Sequence, residues 1–451
     1  MLNRKIYSKI VDYLKSSSSK MLVIDGARQV GKSFIIRKAG QEIFPNYIEV
    51  NMERDRLHDR LFADVRTTED FYLALSSFAG ERMGRREDTL VFIDEIQAYD
   101  HLLTMVKFLM DEGRFTYIAS GSQLGITLKK TQSVPVGSLQ RIHMYPLDFE
   151  EFLWACGVGE EFVDNMRHCF KTGTAIPDAH HRKIMDLLRK YLLVGGLPDA
   201  VNTYLAEHNI LSVRKIQTDI RDLYLDDAAK YEKEARRKLK IQAIYRSVPS
   251  NLENKKKRIV ARDVEGKKGK RMTDYEDEFE YLISAGIALD VKAVSTPTYP
   301  LVQNTGKNLL KLYLNDVGLL TSLLYRNNIQ PVIEDIRSIN LGSVYENFVA
   351  MELRAHGFQL CYYDNKKNGE VDFLIDDVEN MSSLPVEVKS GKDYTTHSAI
   401  SKFIAKPDYN VRRAVVLSNQ DQISEEIGIT YLPIYNCMFL NPNTDQGQVE
   451  F

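Results

Sequence analysis

The most constraining feature of this sequence is a glycine-rich run near its start with the spacing G-x-x-x-x-G-K-S. Its eight residues are Gly26, Ala27, Arg28, Gln29, Val30, Gly31, Lys32 and Ser33. An apolar segment (21–24) precedes the run and a helical pattern (34–38) follows it. This order lets backbone N–H groups and a helix N-terminus face phosphate oxygens. We therefore predict a nucleotide site, with Lys32 on the outer phosphates and the Ser33 hydroxyl on magnesium.

A second apolar segment, residues 89–93, ends in two carboxylates, Asp94 and Glu95. We predict that Asp94 holds magnesium through water and that Glu95 orients the attacking water as general base. A later strand pattern ends at Ser120 and Ser122, and Ser122 is our predicted sensor of the γ-phosphate. The carboxylate pair suits activation of water, which disfavours a small-molecule phosphotransferase. The predicted cofactors are ATP and Mg²⁺.

Apolar strands alternate with helical segments in the first third of the chain, which predicts the α/β fold class. The predicted helix is 4–14 and the predicted strands are 21–24, 47–51, 90–93 and 115–119. A chain of 451 residues is expected to form several domains of about 100 to 200 residues each. We predict an ATPase core at 1–150, a helical lid and linker region at 151–335 and a compact α/β domain at 336–451.

Composition narrows the class of protein. Hydrophobic residues make up 44% of the chain and charged residues 27%, as in soluble globular proteins. No apolar run approaches the roughly 20 residues of a membrane span, and the first residues lack a signal-peptide core, so we expect a cytoplasmic protein without a membrane partner. The four scattered cysteines indicate neither a zinc site nor disulfides. A net charge of -2 requires any contact with nucleic acid to be a local patch.

Basic residues are concentrated at 255–258 and 267–271, and acidic residues follow at 274–280. Two interpretations remain open for this stretch. It is either a solvated loop followed by a charged helix, or a wing that touches nucleic acid. Paired tyrosines, Tyr362 and Tyr363, likewise fit either packing in a strand or stacking on bases.

Two strand patterns near the end of the chain carry charged side chains. The first contains Glu370 and Asp372, and the second contains Glu387 and Lys389. The strand period of two places Glu387 and Lys389 on one face. If the strands pair, Asp372 and Glu387 converge into a hard-oxygen site for Mg²⁺ or Mn²⁺, and Lys389 can stabilise or deprotonate the attacking water. Each polar pair taken singly is also typical of a solvated strand face.

Five motifs together resemble the prokaryotic AAA-type ATPases that carry a C-terminal domain of unknown function. They are the loop at 26–33, the residues Asp94, Glu95, Ile96 and Gln97, the residues Ser120, Gly121 and Ser122, the run at 146–152, and the residues Gly195, Gly196, Leu197 and Pro198. The resemblance covers nearly the whole chain. It implies an ATPase domain, a winged-helix-like middle, a nuclease-like C-terminal domain and assembly of copies into a ring.

The C-terminal pattern resembles the restrictase-like nuclease superfamily with its PD-(D/E)xK motif. That resemblance implies a further catalytic acid on a helix, which corresponds to Glu346 in the helical pattern at 344–353. The helix acid Glu346, the E-x-D pattern at 370–372 and the E-x-K pattern at 387–389 occur in this order along the chain.

One departure from the ATPase resemblance concerns the arginine finger. Similar proteins often have a basic residue directly after the glycine of the turn at 135–137, where this chain has Ser138. The finger is therefore Arg141, Arg114 or neither. Such an arginine contributes factors of about 10³ or more to hydrolysis.

Our leading hypothesis is a magnesium-dependent ATPase that positions or loads nucleic acid, with DNA favoured, for a C-terminal nuclease. DNA processing or defence is the expected setting, and a homo-oligomer the expected assembly. The alternative is a nucleotide-operated switch or scaffold, whose C-terminal domain binds nucleic acid or protein without cutting.

Overall fold

The computed structural model describes the chain in two compact units. The N-terminal unit is Asn3–Tyr145 with Ser284–Gly286, and the C-terminal unit contains Pro146–Ile283 and Ile287–Phe451. The described residues are 2–122, 124–125, 136–231, 235–254, 257–266, 269–305, 310–334, 339–365, 367, 369–390 and 398–442.

The N-terminal unit is built on a five-stranded parallel sheet in the order β2-β3-β4-β1-β5. The strands are β1 (Met21–Asp25), β2 (Asn46–Asn51), β3 (Thr89–Asp94), β4 (Thr116–Gly121) and β5 (Leu139–His143). Its described α-helices include α1 (Ile6–Lys15), α2 (Lys32–Ile43), α3 (Met52–Leu57), α4 (Thr68–Ala79) and α5 (Asp100–Glu112). The predicted strands and opening helix are confirmed, with ends shifted by a residue or two. The α/β class is confirmed as well.

The apolar strands of this sheet form the core of the unit. β1 and β3 are buried at every position, as expected for central strands covered on both faces. β4 lies between β1 and β3 in the sheet. Because all five strands are parallel, their carboxyl ends lie at one edge, where ligands of such sheets bind. The chain segments after β1, β3 and β4 therefore meet at that edge.

The C-terminal unit combines helices with a sheet of eight strands. Its described α-helices include α6 (Phe149–Ala155), α7 (Glu160–Thr172), α8 (Asp178–Val194), α9 (Pro198–Glu207), α10 (Ile210–Tyr231), α11 (Ala235–Glu253), α12 (Ala261–Glu265), α13 (Glu276–Ser284), α14 (Val317–Tyr325), α15 (Gln330–Ile333), α16 (Gly342–Ala355) and α17 (Ser398–Ile404). Its strands are β6 (Ala288–Val294), β7 (Leu310–Leu314), β8 (Cys361–Asn365), β9 (Gly369–Asp377), β10 (Ser382–Lys389), β11 (Ala414–Ser418), β12 (Ser424–Glu426) and β13 (Ile429–Pro433).

The strand order of this sheet, β12-β13-β11-β10-β9-β8-β6-β7, crosses the boundary that we predicted at residue 335. The antiparallel pair β6 and β7 precedes that boundary, and β6 pairs in parallel with β8, which follows it. The two predicted segments therefore share one sheet and one compact unit. The winged-helix-like form stays a prediction.

The Gly195–Gly196 pair singled out in the sequence lies at a tight junction of backbones. The Gly196 carbonyl accepts from the Leu147 N–H at 2.7 Å, and the Gly196 N–H donates to Asp316 Oδ2 at 2.7 Å. Asp316 also accepts from the Leu319 N–H at 3.0 Å, at the start of α14. Burial raises the pKa of Asp316 to about 6, although these N–H donors oppose the rise. The motif joins three chain segments and needs no ligand to explain it.

We expect Gly196→Ala to destabilise the protein by about 3 kcal/mol or more, because overpacking against backbone cannot relax easily. A Cβ at this position lies 2.0 Å from the Leu147 carbonyl oxygen. The matched control is Gly159→Ala, whose Cβ meets nothing within 4 Å and whose φ of -69° suits alanine. Chemical denaturation of both variants checks the prediction. Equal stabilities would contradict the proposed junction.

Candidate nucleotide site and C-terminal acid cluster

The loop between β1 and α2 has the backbone geometry that phosphate binding requires. Gly31 at φ 94° ends the loop directly before α2, and Gly26 at φ 142° begins it. A Cβ on Gly26 would lie 2.3 Å from the Met144 carbonyl oxygen, so only glycine fits there. Gln29 also has a positive φ of 64°. Backbone N–H groups at such a loop and at a helix N-terminus are suited to anions.

The Lys32 ammonium is held inside this loop. It donates to the Gly26 carbonyl at 3.0 Å and to the Ala27 carbonyl at 2.8 Å, and the residue is only 6% exposed. Burial lowers the pKa of Lys32, while the carboxylates of Glu95 and Asp94 oppose that shift. A buried ammonium whose hydrogen bonds go to neutral carbonyls gains from an anionic partner. The described residues therefore fit a nucleotide phosphate.

Asp94 at the end of β3 is the centre of a polar network. It accepts from the Ser33 hydroxyl at 2.9 Å and from the Asn51 amide at 2.8 Å, and it is also hydrogen-bonded by the Ser120 hydroxyl. Ser33 and Asp94 thus offer hard oxygen atoms side by side, which fits Mg²⁺. Bound there, Mg²⁺ would neutralise charge on the phosphate oxygens.

Glu95, directly after β3, has a left-handed backbone conformation with φ 52°. One carboxylate oxygen, Oε2, accepts from the Ser122 N–H at 3.2 Å and from the Ser122 hydroxyl at 2.9 Å, and it is also bonded by the Gln97 amide. Burial alone raises the pKa of Glu95, but the Lys32 charge and the Gln97 hydrogen bond outweigh it and leave that pKa below its ordinary value. Glu95 is therefore an ionised carboxylate at neutral pH, as a general base must be.

Sequence reasoning missed two members of this network. Asn51 ends β2, the strand paired with β3, and its position opposite Asp94 in the register is the signal that was available. Ser120 was set aside in favour of Ser122, yet Ser120 contacts Asp94 whereas Ser122 contacts Glu95. The role of Ser122 as a γ-phosphate sensor stays a prediction.

Both candidate arginine fingers have partners within the N-terminal unit. The Arg141 guanidinium pairs with Asp25, which also bonds His143 Nδ1 at 3.0 Å. The Arg114 guanidinium lies over the Tyr72 ring, 4.5 Å from its centroid. Either would have to leave these partners to reach a neighbouring copy. Ser138 is the last residue of a short 3₁₀ turn that directly precedes β5.

In the C-terminal unit, β9 and β10 are antiparallel neighbours, with Phe373 opposite Val386. The next step of this register sets Asp372 against Glu387, so the two carboxylates share one face of the sheet. Asp372 Oδ2 accepts from the Val388 N–H at 2.9 Å, and Lys389 donates to Glu387 Oε1 at 2.8 Å. The pairing that the sequence analysis required is therefore present.

Glu346 on α16 belongs to the same acid cluster, which we define as Glu346, Asp372 and Glu387. It is 1% exposed and accepts from the Tyr313 hydroxyl at 3.0 Å. Its other oxygen pairs with Lys257, whose ammonium is also 3.9 Å from Asp372 Oδ1. Sequence reasoning missed Lys257 in this role, because it lies about ninety positions before the helix acid. Nearby, Glu370 pairs with the fully buried Lys311.

The pKa values of the acid cluster are shifted by burial and by the neighbouring charges. Burial and the Asp372 charge raise the pKa of both Glu346 and Glu387, while Lys257 and Lys389 oppose the rise at Glu346 and Glu387 respectively. Glu387 Oε2 is buried without a hydrogen-bond partner among the described residues. Within that same part of the chain, no three acidic, histidine or cysteine side chains form a metal-binding group. With Lys257 in place, the cluster does not fit a divalent metal.

Other candidate contacts with nucleic acid lie elsewhere. Tyr362 and Tyr363 are buried in β8, and Tyr363 packs on Phe403 and Tyr409, so the packing interpretation holds for both. Lys255, Lys256, Lys267 and Lys268 of the basic stretches lie outside the described residues, as do Pro135 and Lys366. Arg258, next to Lys257, pairs with Asp364 at 3.5 Å.

Family models match three segments of the chain. Residues 18–153 match an AAA domain. This segment is therefore an AAA-type P-loop ATPase domain. Residues 185–330 match a domain of unknown function (DUF8612), and residues 341–437 match another (DUF4143). Among curated proteins, none is similar enough in sequence to match this chain.

Solved structures give distant similarities. A Walker-type ATPase of Pyrococcus abyssi is 16% identical, with 72% of this chain and 96% of that chain covered and a TM-score of 0.45. The S. cerevisiae Hsp104–ADP complex is 13% identical, with 79% and 43% covered and a TM-score of 0.29. The Thermotoga maritima RuvB Holliday junction branch migration motor is 15% identical, with 64% and 89% covered and a TM-score of 0.28.

The AAA domain indicates nucleotide hydrolysis with ATP as cofactor. Among the described helices, none is both long and apolar enough to cross a bilayer.

Proposed function

We propose that this protein is a magnesium-dependent ATPase whose nucleotide cycle controls a C-terminal metal-dependent nuclease acting on nucleic acid, with DNA favoured. The observation that carries the nuclease half is the β9–β10 register, which supports convergence of Asp372 and Glu387 beside Lys389. Glu346 completes the set on α16. Once Lys257 has left the acids, the two strand acids and the helix acid could hold a metal, and Lys389 could orient the attacking water.

At the nucleotide site each residue has a separate role. The loop N–H groups and Lys32 hold the phosphates, while Ser33 and Asp94 hold Mg²⁺. Glu95 accepts the proton of the attacking water, and Ser122 and Gln97 hold its carboxylate in position. The contacts of Ser122 and Gln97 all go to Glu95 Oε2, so we assign proton acceptance to its other carboxylate oxygen, Oε1.

Chain continuity offers a route from the nucleotide to the acid cluster. β5, whose Arg141 and His143 hold Asp25 just before the loop, leads directly into the residues that start α6. The Phe149 N–H there donates to Glu352 Oε1 at 2.8 Å. Glu352 lies on α16, the helix that carries Glu346. A shift of the α6 start is thereby transmitted to the helix that supplies one acid of the cluster.

The proposal is tested by cleavage of plasmid and single-stranded oligonucleotides with Mg²⁺ or Mn²⁺. We expect cleavage that depends on metal and is lost on chelation. Parallel release of phosphate from ATP measures the first half of the proposal. ATP hydrolysis without cleavage under any metal would support the ATPase half of the proposal and contradict the nuclease half.

A second candidate function is favoured by the ion pairs of the cluster. Lys257 and Lys389 neutralise acids that a metal would bind. That arrangement supports a nucleotide-operated switch or scaffold whose C-terminal domain binds nucleic acid or protein without cutting. Assembly into a ring is proposed for either function.

A further inference from the structure

The acid cluster already contains a cation, and that cation is a side chain. Lys257 pairs with Glu346 and lies 3.9 Å from Asp372 Oδ1, between a helix acid and a strand acid. It reaches the cluster from the short segment between α11 and α12, far in sequence from all three acids. A lysine ammonium and a divalent metal compete for the same carboxylate oxygens, because those oxygens can bind either cation.

The segment that carries Lys257 is fastened at several points. The Arg258 guanidinium pairs with Asp364 of β8, and the Ile259 N–H donates to the Leu310 carbonyl at 3.1 Å. Lys257 itself has φ 45°, a left-handed conformation that costs energy in a non-glycine residue. The surrounding contacts therefore hold Lys257 in an unfavourable backbone conformation that directs its ammonium to the acids.

Part of the cluster is left incomplete by this arrangement. Lys389 satisfies Glu387 Oε1, but Glu387 Oε2 is buried without a hydrogen-bond partner among the described residues, and the residue is 7% exposed. A buried carboxylate oxygen without a hydrogen-bond partner is costly, so this oxygen is suited to accept a cation or a hydrogen-bond donor. The cluster thus has one oxygen, Glu387 Oε2, that is available to a metal, while Lys257 lies against Glu346 Oε1 and Asp372 Oδ1.

We infer that Lys257 is an internal, autoinhibitory cation, and that a divalent metal binds Asp372 and Glu387 with full affinity only after the 257–258 segment leaves the cluster. This inference rests on the proposed function, since it assigns a closed state to the proposed nuclease site. In the closed state the site does not cut nucleic acid indiscriminately. The basic character of 255–258 makes an incoming phosphate backbone a suitable competitor for Lys257.

Metal binding itself provides the test. Calorimetric titration of nucleotide-free protein with Mn²⁺ is compared for wild type, Lys257→Met and Lys402→Met, each also with Asp372→Asn. We expect Lys257→Met to bind Mn²⁺ about tenfold or more tightly than wild type, a difference of about 1.4 kcal/mol per decade. Lys402→Met is the matched control, because it removes one exposed lysine charge from α17 of the same unit and leaves the contacts of the 257–258 segment in place. Its affinity should equal that of wild type.

A second variant keeps the inference testable if Lys257→Met does not fold. Lys257→Met leaves Glu346 buried without its partner, which is destabilising, so Lys257→Met with Glu346→Gln removes both charges together. Either variant should gain affinity that Asp372→Asn abolishes. Equal Asp372-dependent affinities in wild type and both variants would overturn the inference and leave the metal site standing. No Asp372-dependent binding in any variant would overturn the proposed nuclease site and the inference with it.

Discussion

Glu95→Gln is expected to lower the rate of ATP hydrolysis by about 10² to 10⁴, because general-base catalysis contributes factors of that size. Nucleotide binding should persist, since the loop and Lys32 are untouched. Glutamine has the same shape and can still accept from the Ser122 N–H and hydroxyl through its carbonyl oxygen. The structure therefore predicts a variant that binds ATP and does not release phosphate.

The measurement pairs steady-state phosphate release with the affinity for a fluorescent ATP analogue. Glu87→Gln is the control, because its side chain is 67% exposed in the same unit and lies outside the nucleotide network. It should hydrolyse ATP like wild type. Hydrolysis by Glu95→Gln at the wild-type rate would show that another residue activates the water.

Asp372→Asn is expected to reduce metal-dependent cleavage by about 10²-fold or more, because a Lewis-acid metal contributes several kcal/mol and each 1.36 kcal/mol is tenfold in rate. The asparagine carbonyl oxygen can keep the hydrogen bond from the Val388 N–H, now 2.9 Å from Asp372 Oδ2. The fold should therefore survive while the charge that attracts the metal is lost.

Asp408→Asn is the matched control for this variant. Asp408 lies exposed in the 3₁₀ turn Pro407–Tyr409 of the same unit. It should cleave and unfold like wild type. Asp372→Asn should also melt near the wild-type temperature, and cleavage at the wild-type rate in that variant would place any nuclease centre elsewhere.

Local patterns in the sequence were sufficient to predict the strand, loop and helix of the candidate nucleotide site. Strand, loop and helix are contiguous between Met21 and Ile43, so the spacing of Gly26, Lys32 and Ser33 carries most of the geometry. The contacts of Asn51 were not predicted, because they depend on which strands are neighbours in the sheet. Periodicity identifies strands but does not order them.

The C-terminal cluster shows the same limit more strongly. Period-two patterns indicated that Glu387 and Lys389 share a face, and the β9–β10 pairing bears out the condition that joins Asp372 to them. The position of Lys257 was not predictable, because an ion pair across 89 positions leaves no local pattern. The pairing of β6 with β8, across the predicted boundary at residue 335, likewise could not be predicted from local patterns.

The most direct test of the central claim is the rate of cleavage as a function of ATP, in wild type and in Lys32→Ala, with Mg²⁺ present. Lys32→Ala removes the buried ammonium of the loop while leaving the C-terminal unit unchanged in sequence. Nucleotide control of the nuclease predicts that ATP changes the wild-type cleavage rate and has no effect on Lys32→Ala. Identical rates in both proteins, with and without ATP, would contradict it.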